Sequence, residues 1–106
     1  MNTVHHNKLV RDLIPEIIRK AGKTPVTDRI PGSEMPDFLD LKLTEEVREF
    51  LDSHSPEEMA DILEVLHGIA FHRGIPWEDI EQVRLQKRSE RGGFEKGIRL
   101  IEVICE

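Results

Sequence analysis

Two groups of acidic residues lie within apolar, helix-like segments in the middle of the chain. The first group is Glu45, Glu46 and Glu49, and the second is Glu58 and Asp61. Apolar side chains favour burial, whereas a carboxylate resists burial unless a cation compensates its charge. A fold that buries these helices must therefore supply a partner for their acids, which makes the two groups the strongest functional signal in the chain.

The helix that carries the first group has an apolar stripe along one side. At about 100° per residue, Leu39, Leu43 and Val47 fall on one arc. Glu46 lies at the edge of that arc, and Glu49 flanks it. A purely solvated face would not place an acid against the stripe, so we expect Glu46 to be at least partly buried.

The next helix is apolar around most of its circumference. Glu58 projects close to Val65, and Asp61 follows Glu58 at i+3, so the two acids share a face. Ser55 is the predicted N-cap, with Glu58 three residues later as in a capping box. The capping interaction and a functional site therefore compete for the Glu58 carboxylate.

A short break over residues 52–55 predicts that the two helices form an antiparallel hairpin. Glu49 would lie one turn before the bend and Glu58 just after it, with Glu46 and Asp61 one turn deeper. Four carboxylates within about one helical pitch (~5 Å) need protons or metal ions to coexist. Oxygen ligands favour Mg²⁺, Mn²⁺ or Ca²⁺ over zinc. The alternative interpretation is a solvated acidic face that complements the helix dipole.

The remaining pattern predicts a mainly α fold, a bundle of about four helices built around this hairpin. The helices are expected over residues 13–21, from residues 34–37 to about 52, over 56–73, and from 76 to about 88 or 90. Short strands are predicted near residues 25–30 and 98–104, with helix as the alternative for the second. With 106 residues, the chain is expected to be a single domain over 1–106. The encircling apolar surface of the third helix predicts a homodimer or homotetramer that completes the bundle.

Composition excludes several classes of function. The formal net charge of −6 disfavours a nucleic acid polymer as partner, because its phosphates would be repelled. No apolar run reaches the ~20 residues of a membrane span, and the first eight residues lack the apolar region of a signal peptide. The single cysteine, Cys105, cannot form an internal disulfide, which favours a cytoplasmic location.

The basic residues near both ends of the chain are candidates for binding phosphate. They are Lys8, Arg11, Lys87, Arg88 and Arg91. Their guanidinium and ammonium groups form charge-assisted hydrogen bonds to phosphate oxygens. The alternatives are solvated surface for Lys8 and Arg11, and favourable charges at a helix C-terminus for the other three.

The two acidic motifs resemble the signature of the MazG-like, all-α nucleoside triphosphate pyrophosphohydrolase superfamily, which includes phosphoribosyl-ATP pyrophosphohydrolases and dimeric dUTPases. Residues 7–15 (NKLVRDLIP) and 87–94 (KRSERGGF) also look like a small MazG-like subgroup. The resemblance therefore covers most of the chain, and it also points to an oligomer.

This resemblance implies hydrolysis of a nucleoside triphosphate between the α- and β-phosphates, giving a monophosphate and pyrophosphate. The implied Mg²⁺ ligands, with Mn²⁺ as the other ion considered, are Glu46, Glu49, Glu58 and Asp61. Glu45 would support a second ion or orient water, and Glu45 and Glu49 are the candidate catalytic bases. A role in nucleotide-pool sanitation would fit this chemistry.

Two other classes of function remain open at this stage. Glu64 and His67 form one Glu-x-x-His motif, but carboxylate-bridged redox bundles use two, which only a symmetric dimer could supply here. The other alternative is a non-catalytic dimeric helical module for interaction or regulation.

Overall fold

The computed structural model describes residues 2–105 and contains four helices in that range. They are α1 (Ile14–Lys20), α2 (Met35–Ser53), α3 (Pro56–His72) and α4 (Trp77–Arg91). The prediction of a mainly α fold is confirmed. Within the described residues, no helix is long and apolar enough to cross a membrane.

The α2–α3 hairpin is the main tertiary contact among the described elements. His54 ends α2 in the left-handed conformation (φ +53°), with its N–H donating to the carbonyl of Phe50. Ser55 then caps α3, because its hydroxyl accepts the N–H of Glu58. A left-handed residue followed directly by an N-cap reverses the chain within two residues. Leu39, early in α2, lies beside Gly68, late in α3, so the hairpin is antiparallel as expected.

The core of the hairpin consists of Met35, Leu39 and Val65. Four partly buried apolar residues pack against it, and they are Leu9, Ile30, Leu43 and Ile69. The non-helical segments before α1 and α2 thus each contribute one side chain, which holds them against the helices.

The contacts of the chain define two units, one ending at Gly74 and the other beginning at Ile75. Gly74 follows α3 with φ +68°, a conformation that side chains with a Cβ adopt only at a cost. The second unit contains α4, and an ion pair between Arg88 and Glu95 (2.8 Å) joins this helix to the segment that follows. The expectation of a single domain over 1–106 stays a prediction.

The strands expected near residues 25–30 and 98–104 are absent, and that expectation was wrong. Both segments lack regular secondary structure over their described residues. A strand requires a partner strand to satisfy its backbone N–H and C=O groups, and neither segment has one within residues 2–105. A segment rich in β-branched residues still needs a partner strand, which its composition does not provide. Val26 and Ile98, one in each segment, are largely exposed.

Candidate functional site

Three carboxylates converge on the inner faces of the hairpin. Glu46 comes from α2, and Glu58 and Asp61 come from the first two turns of α3. One oxygen from each residue lies within 4.8 Å of the others. We call these three residues the acidic cluster. Among the described residues, they are the group of three acids, histidines or cysteines whose ligand atoms lie close enough to hold a metal ion.

The oxygens of the acidic cluster are close enough together for one divalent cation to bind them. Mg²⁺ binds oxygen at about 2.0–2.1 Å, so two oxygens on one ion lie at most about 4.2 Å apart, and the three oxygens of the cluster, now within 4.8 Å of one another, would move slightly closer around such an ion. In addition, Glu46 Oε2 and Glu58 Oε2 are buried and have no hydrogen-bond partner within the described chain. A buried carboxylate oxygen without a partner is costly, and an ion shared by the cluster would satisfy both oxygens. The donor set therefore fits Mg²⁺ or Mn²⁺.

Glu46 is the buried member of the cluster, with 6 % of its surface exposed. Burial raises its pKa, and the nearby charge of Glu49 acts in the same direction, whereas a contact with Lys42 opposes the shift. The Lys42 ammonium lies 3.3 Å from Glu46 Oε1. One oxygen of Glu46 thus pairs with a cation, and the other is buried without a hydrogen-bond partner within the described chain.

Glu45 lies beside the acidic cluster and is bound by two lysines. Lys8 Nζ donates to Glu45 Oε1 at 3.0 Å, and Lys42 Nζ is 3.5 Å from Glu45 Oε2. The hydrogen bond from Lys8, followed by the charge of Lys42, holds the pKa of Glu45 below its ordinary value. Both oxygens of this carboxylate are therefore engaged, and Glu45 lies outside the acidic cluster.

Arg11 reaches the other side of the cluster. Its Nη2 donates to Asp61 Oδ1 at 2.7 Å, although the two residues are 50 positions apart in sequence. The segment before α1 therefore brings two of the predicted phosphate-binding cations, Lys8 and Arg11, to the acidic residues of α2 and α3.

Glu49 is exposed and lies outside the group of three that converges most closely. It is close enough to Glu46 for its charge to raise the pKa of that carboxyl. Its expected role as a fourth metal ligand stays a prediction.

The Glu58 side chain belongs to the acidic cluster and does not complete a capping box. The backbone N–H of Glu58 donates to Ser55 Oγ at 3.3 Å, which is half of a capping box. The other half is not formed, because the N–H of Ser55 donates to Ser53 Oγ instead. The Glu58 side chain is thereby left to face Glu46 and Asp61.

The three other predicted phosphate-binding cations, Lys87, Arg88 and Arg91, are exposed on α4 in the second unit. Arg88 is engaged with Glu95. Their role in binding phosphate stays a prediction. In the Glu-x-x-His motif, Glu64 is exposed and His67 is half-buried, and neither belongs to the acidic cluster.

Lys42 is the site residue that the sequence patterns did not single out. Its side chain is only 17 % exposed. A lysine is seldom buried to this extent unless acids pair with it, and here Glu45 and Glu46 do so. The signal was nevertheless present in the sequence, because Lys42 precedes Glu45 by three residues and Glu46 by four. Residues at those spacings are neighbours on a helix surface.

Comparison with known proteins adds one relative. A Mycolicibacterium smegmatis protein, described as an uncharacterized protein, is 52 % identical over 42 residues, which is 40 % of this chain. The match spans 43 % of that relative, less than half of its length. No family model matches the chain, and no solved structure matches it significantly.

Proposed function

We propose that this protein is a Mg²⁺-dependent nucleoside triphosphate pyrophosphohydrolase, which cleaves the α–β phosphate bond to give a monophosphate and pyrophosphate. The observation that carries the proposal is the convergence of Glu46, Glu58 and Asp61 within 4.8 Å, with two buried oxygens that have no partner in the described chain. The resemblance of the two acidic motifs to MazG-like enzymes agrees with this geometry.

In this proposal, the acidic cluster holds the metal ion. Glu46 is held by burial in the hairpin and by Lys42, while Glu58 and Asp61 lie on the first two turns of α3, which Ser55 caps. When bound, Mg²⁺ would neutralise part of the triphosphate charge and lower the pKa of a coordinated water. Mn²⁺ suits the same oxygen ligands.

Glu49 is the residue that we assign as the general base. A base must be able to accept a proton, and the pKa of Glu45 is lowered by the two lysines that bind it. Glu49 is exposed and adjacent to Glu46, so it is able to take the proton of the attacking water.

Arg11 is the cation that we assign to the phosphates on the Asp61 side of the cluster. Its guanidinium is more than half exposed and already lies at the site. A guanidinium presents several N–H donors, so Arg11 is able to bind a phosphate oxygen as well as Asp61.

We propose that the working form is a homodimer or homotetramer in a reducing cytoplasm. Met59, Leu63 and Leu66 lie at i, i+4 and i+7 on α3 and are exposed. A second copy would cover this stripe in the way that bundle helices cover one another. The one cysteine, Cys105, is free and exposed, which suits a reducing compartment.

The decisive experiment incubates the full chain with Mg²⁺ and a panel of standard and modified nucleoside triphosphates, and measures both monophosphate and pyrophosphate. We expect equimolar products from at least one nucleotide. Glu58→Gln should reduce kcat by at least about 100-fold, because a neutral amide is a weaker ligand. The matched control is Glu57→Gln, which changes an exposed neighbour and should leave turnover unchanged.

Two results would contradict the proposal. One is an absence of both products for every nucleotide in the panel. The other is equal turnover by Glu58→Gln and the wild type, which would favour a non-catalytic helical module in which the cluster has no chemical role.

A further inference from the structure

We propose that Lys8 and Lys42, held side by side by Glu45, form a subsite for a diphosphate group next to the acidic cluster. This inference rests on the proposed function, since its ligand is the pyrophosphate part of a nucleoside triphosphate and the pyrophosphate product. It gives Glu45 a positioning role and gives Lys42 a binding role.

The two lysines reach Glu45 from different parts of the chain. Lys42 lies one turn before Glu45 on α2, whereas Lys8 comes from the non-helical segment before α1. They contact opposite oxygens of the same carboxylate, at 3.0 Å for Lys8 and 3.5 Å for Lys42. A single carboxylate therefore sets the spacing of two ammonium groups.

The lysines also line a groove between residues 7–9 and α2. Leu9, Phe38 and Leu41 provide its apolar lining, and Asn7 and Glu45 complete it. The groove therefore contains two ammonium groups, the carboxylate that holds them, an amide and an apolar surface. An anion with several oxygens fits this chemistry better than a neutral ligand does, because ammonium groups pair most strongly with charged oxygens.

Helix stability does not account for this arrangement. Along a helix, an acid placed before a base at i, i+4 is the more favourable order, and Lys42 and Glu46 have the reverse order. The pair between Lys8 and Glu45 is exposed, and exposed ion pairs contribute little to stability. Burying most of the Lys42 side chain has an entropic cost as well. A binding role gives these costs a physical reason.

Lys42 also lies at the boundary between the groove and the metal-binding residues. Its ammonium is 3.3 Å from Glu46 Oε1 and 3.5 Å from Glu45 Oε2. An anion that binds Lys8 and Lys42 would thus have one end beside the acidic cluster. That placement suits the phosphates that leave as pyrophosphate, whose negative charge increases as the α–β bond breaks and which the two ammonium groups would stabilise.

The test measures binding of inorganic pyrophosphate to the full chain in the presence of Mg²⁺ by titration calorimetry. Lys8→Met and Lys42→Met should each weaken pyrophosphate binding by about tenfold, the loss of one charge-assisted contact. Lys42→Arg keeps the charge and should restore most of the affinity. The control is Lys23→Met, which removes an exposed cation outside the groove and should leave the dissociation constant unchanged.

A parallel titration with Mg²⁺ alone separates the subsite from the metal site. Neither lysine variant should weaken Mg²⁺ binding, because removing a cation cannot remove a metal ligand. Unchanged pyrophosphate affinity in Lys8→Met, or no pyrophosphate binding by the wild type, would overturn the inference. If nucleotides are hydrolysed while pyrophosphate affinity is insensitive to both lysines, only this inference fails. If no nucleotide is hydrolysed while lysine-dependent pyrophosphate binding is observed, the proposed function fails instead.

Discussion

At the residue scale, the most informative group is the Glu46 carboxyl, because burial and the contact with Lys42 shift its pKa in opposite directions. Burial and the charge of Glu49 raise its pKa, while Lys42 favours its ionised form. A raised pKa means that ionising Glu46 costs folding free energy. The stabilising contribution of this group is therefore fully present below its unfolded-state pKa and is lost as the pH rises through the higher folded-state pKa.

This sign leads to a stability prediction for Glu46→Gln in the metal-free protein. The substitution should raise the free energy of unfolding by about 1 kcal/mol near pH 8, where the wild-type carboxyl is charged, because a neutral amide has a smaller desolvation cost. Near pH 4 the difference should disappear. Thermal unfolding at the two pH values measures it.

The control is Glu64→Gln, which removes an exposed acid on α3 and should leave this pH dependence in place. Destabilisation by Glu46→Gln near pH 8 would instead show that the ion pair with Lys42 outweighs the cost of burying the charged carboxylate.

At the scale of elements, the α2–α3 hairpin determines which acids meet. The turn at His54 and Ser55 sets the register of the two helices, and Leu39 packs beside Gly68 at the far end. Glycine at position 68 weakens the interior of α3, since it is less favourable in a helix than alanine by about 1 kcal/mol. A Cβ at this position would meet Leu39 Cδ2 at 3.5 Å, an ordinary van der Waals distance.

We therefore expect Gly68→Ala to stabilise the protein by about 0.5–1 kcal/mol, because it reduces the freedom of the unfolded chain without a clash. Chemical denaturation measures the change. Gly74→Ala provides the opposite case, since φ +68° disfavours a residue with a Cβ, and it should destabilise the protein by about 1 kcal/mol. Destabilisation by Gly68→Ala would mean that α3 and α2 approach more closely than the 3.5 Å contact indicates.

At the scale of the whole molecule, few apolar side chains are buried and many large ones are exposed among the described residues. The buried apolar residues among those described are Met35, Leu39, Val65 and Ala70. By contrast, Met59, Leu63 and Leu66 remain exposed along one face of α3. An exposed stripe of this kind is typical of a surface that associates with another chain.

The corresponding prediction is that the protein has the mass of a dimer or tetramer in solution, measured by size-exclusion chromatography with light scattering. Leu63→Glu should shift it to the monomer, because a charge buried in an apolar interface is strongly unfavourable. The matched control is Leu41→Glu, at an exposed position on α2, which should keep the wild-type mass. A wild-type protein that remains monomeric at micromolar concentrations would contradict the prediction.

Local patterns in the sequence were sufficient for the helices and for part of the candidate site. Helical periodicity, the Ser55 cap and the short break before it predicted the hairpin because each depends on interactions within a few residues. The i, i+3 spacing of Glu58 and Asp61 likewise placed both acids on one face. The expected strands failed because a strand depends on a distant partner, which its own residues do not specify.

Only the tertiary structure decided how the charges pair across the hairpin. The rotation of α2 against α3 buries Glu46 and brings it to Glu58 and Asp61, while Glu49 remains exposed. The pairs of Lys8 with Glu45 and Arg11 with Asp61 join residues 37 and 50 positions apart. Spacing along one helix cannot predict such pairs, because they depend on where the segment before α1 packs. The sequence by itself therefore determined which acids share a helix face, and packing determined which three converge and which cations lie beside them.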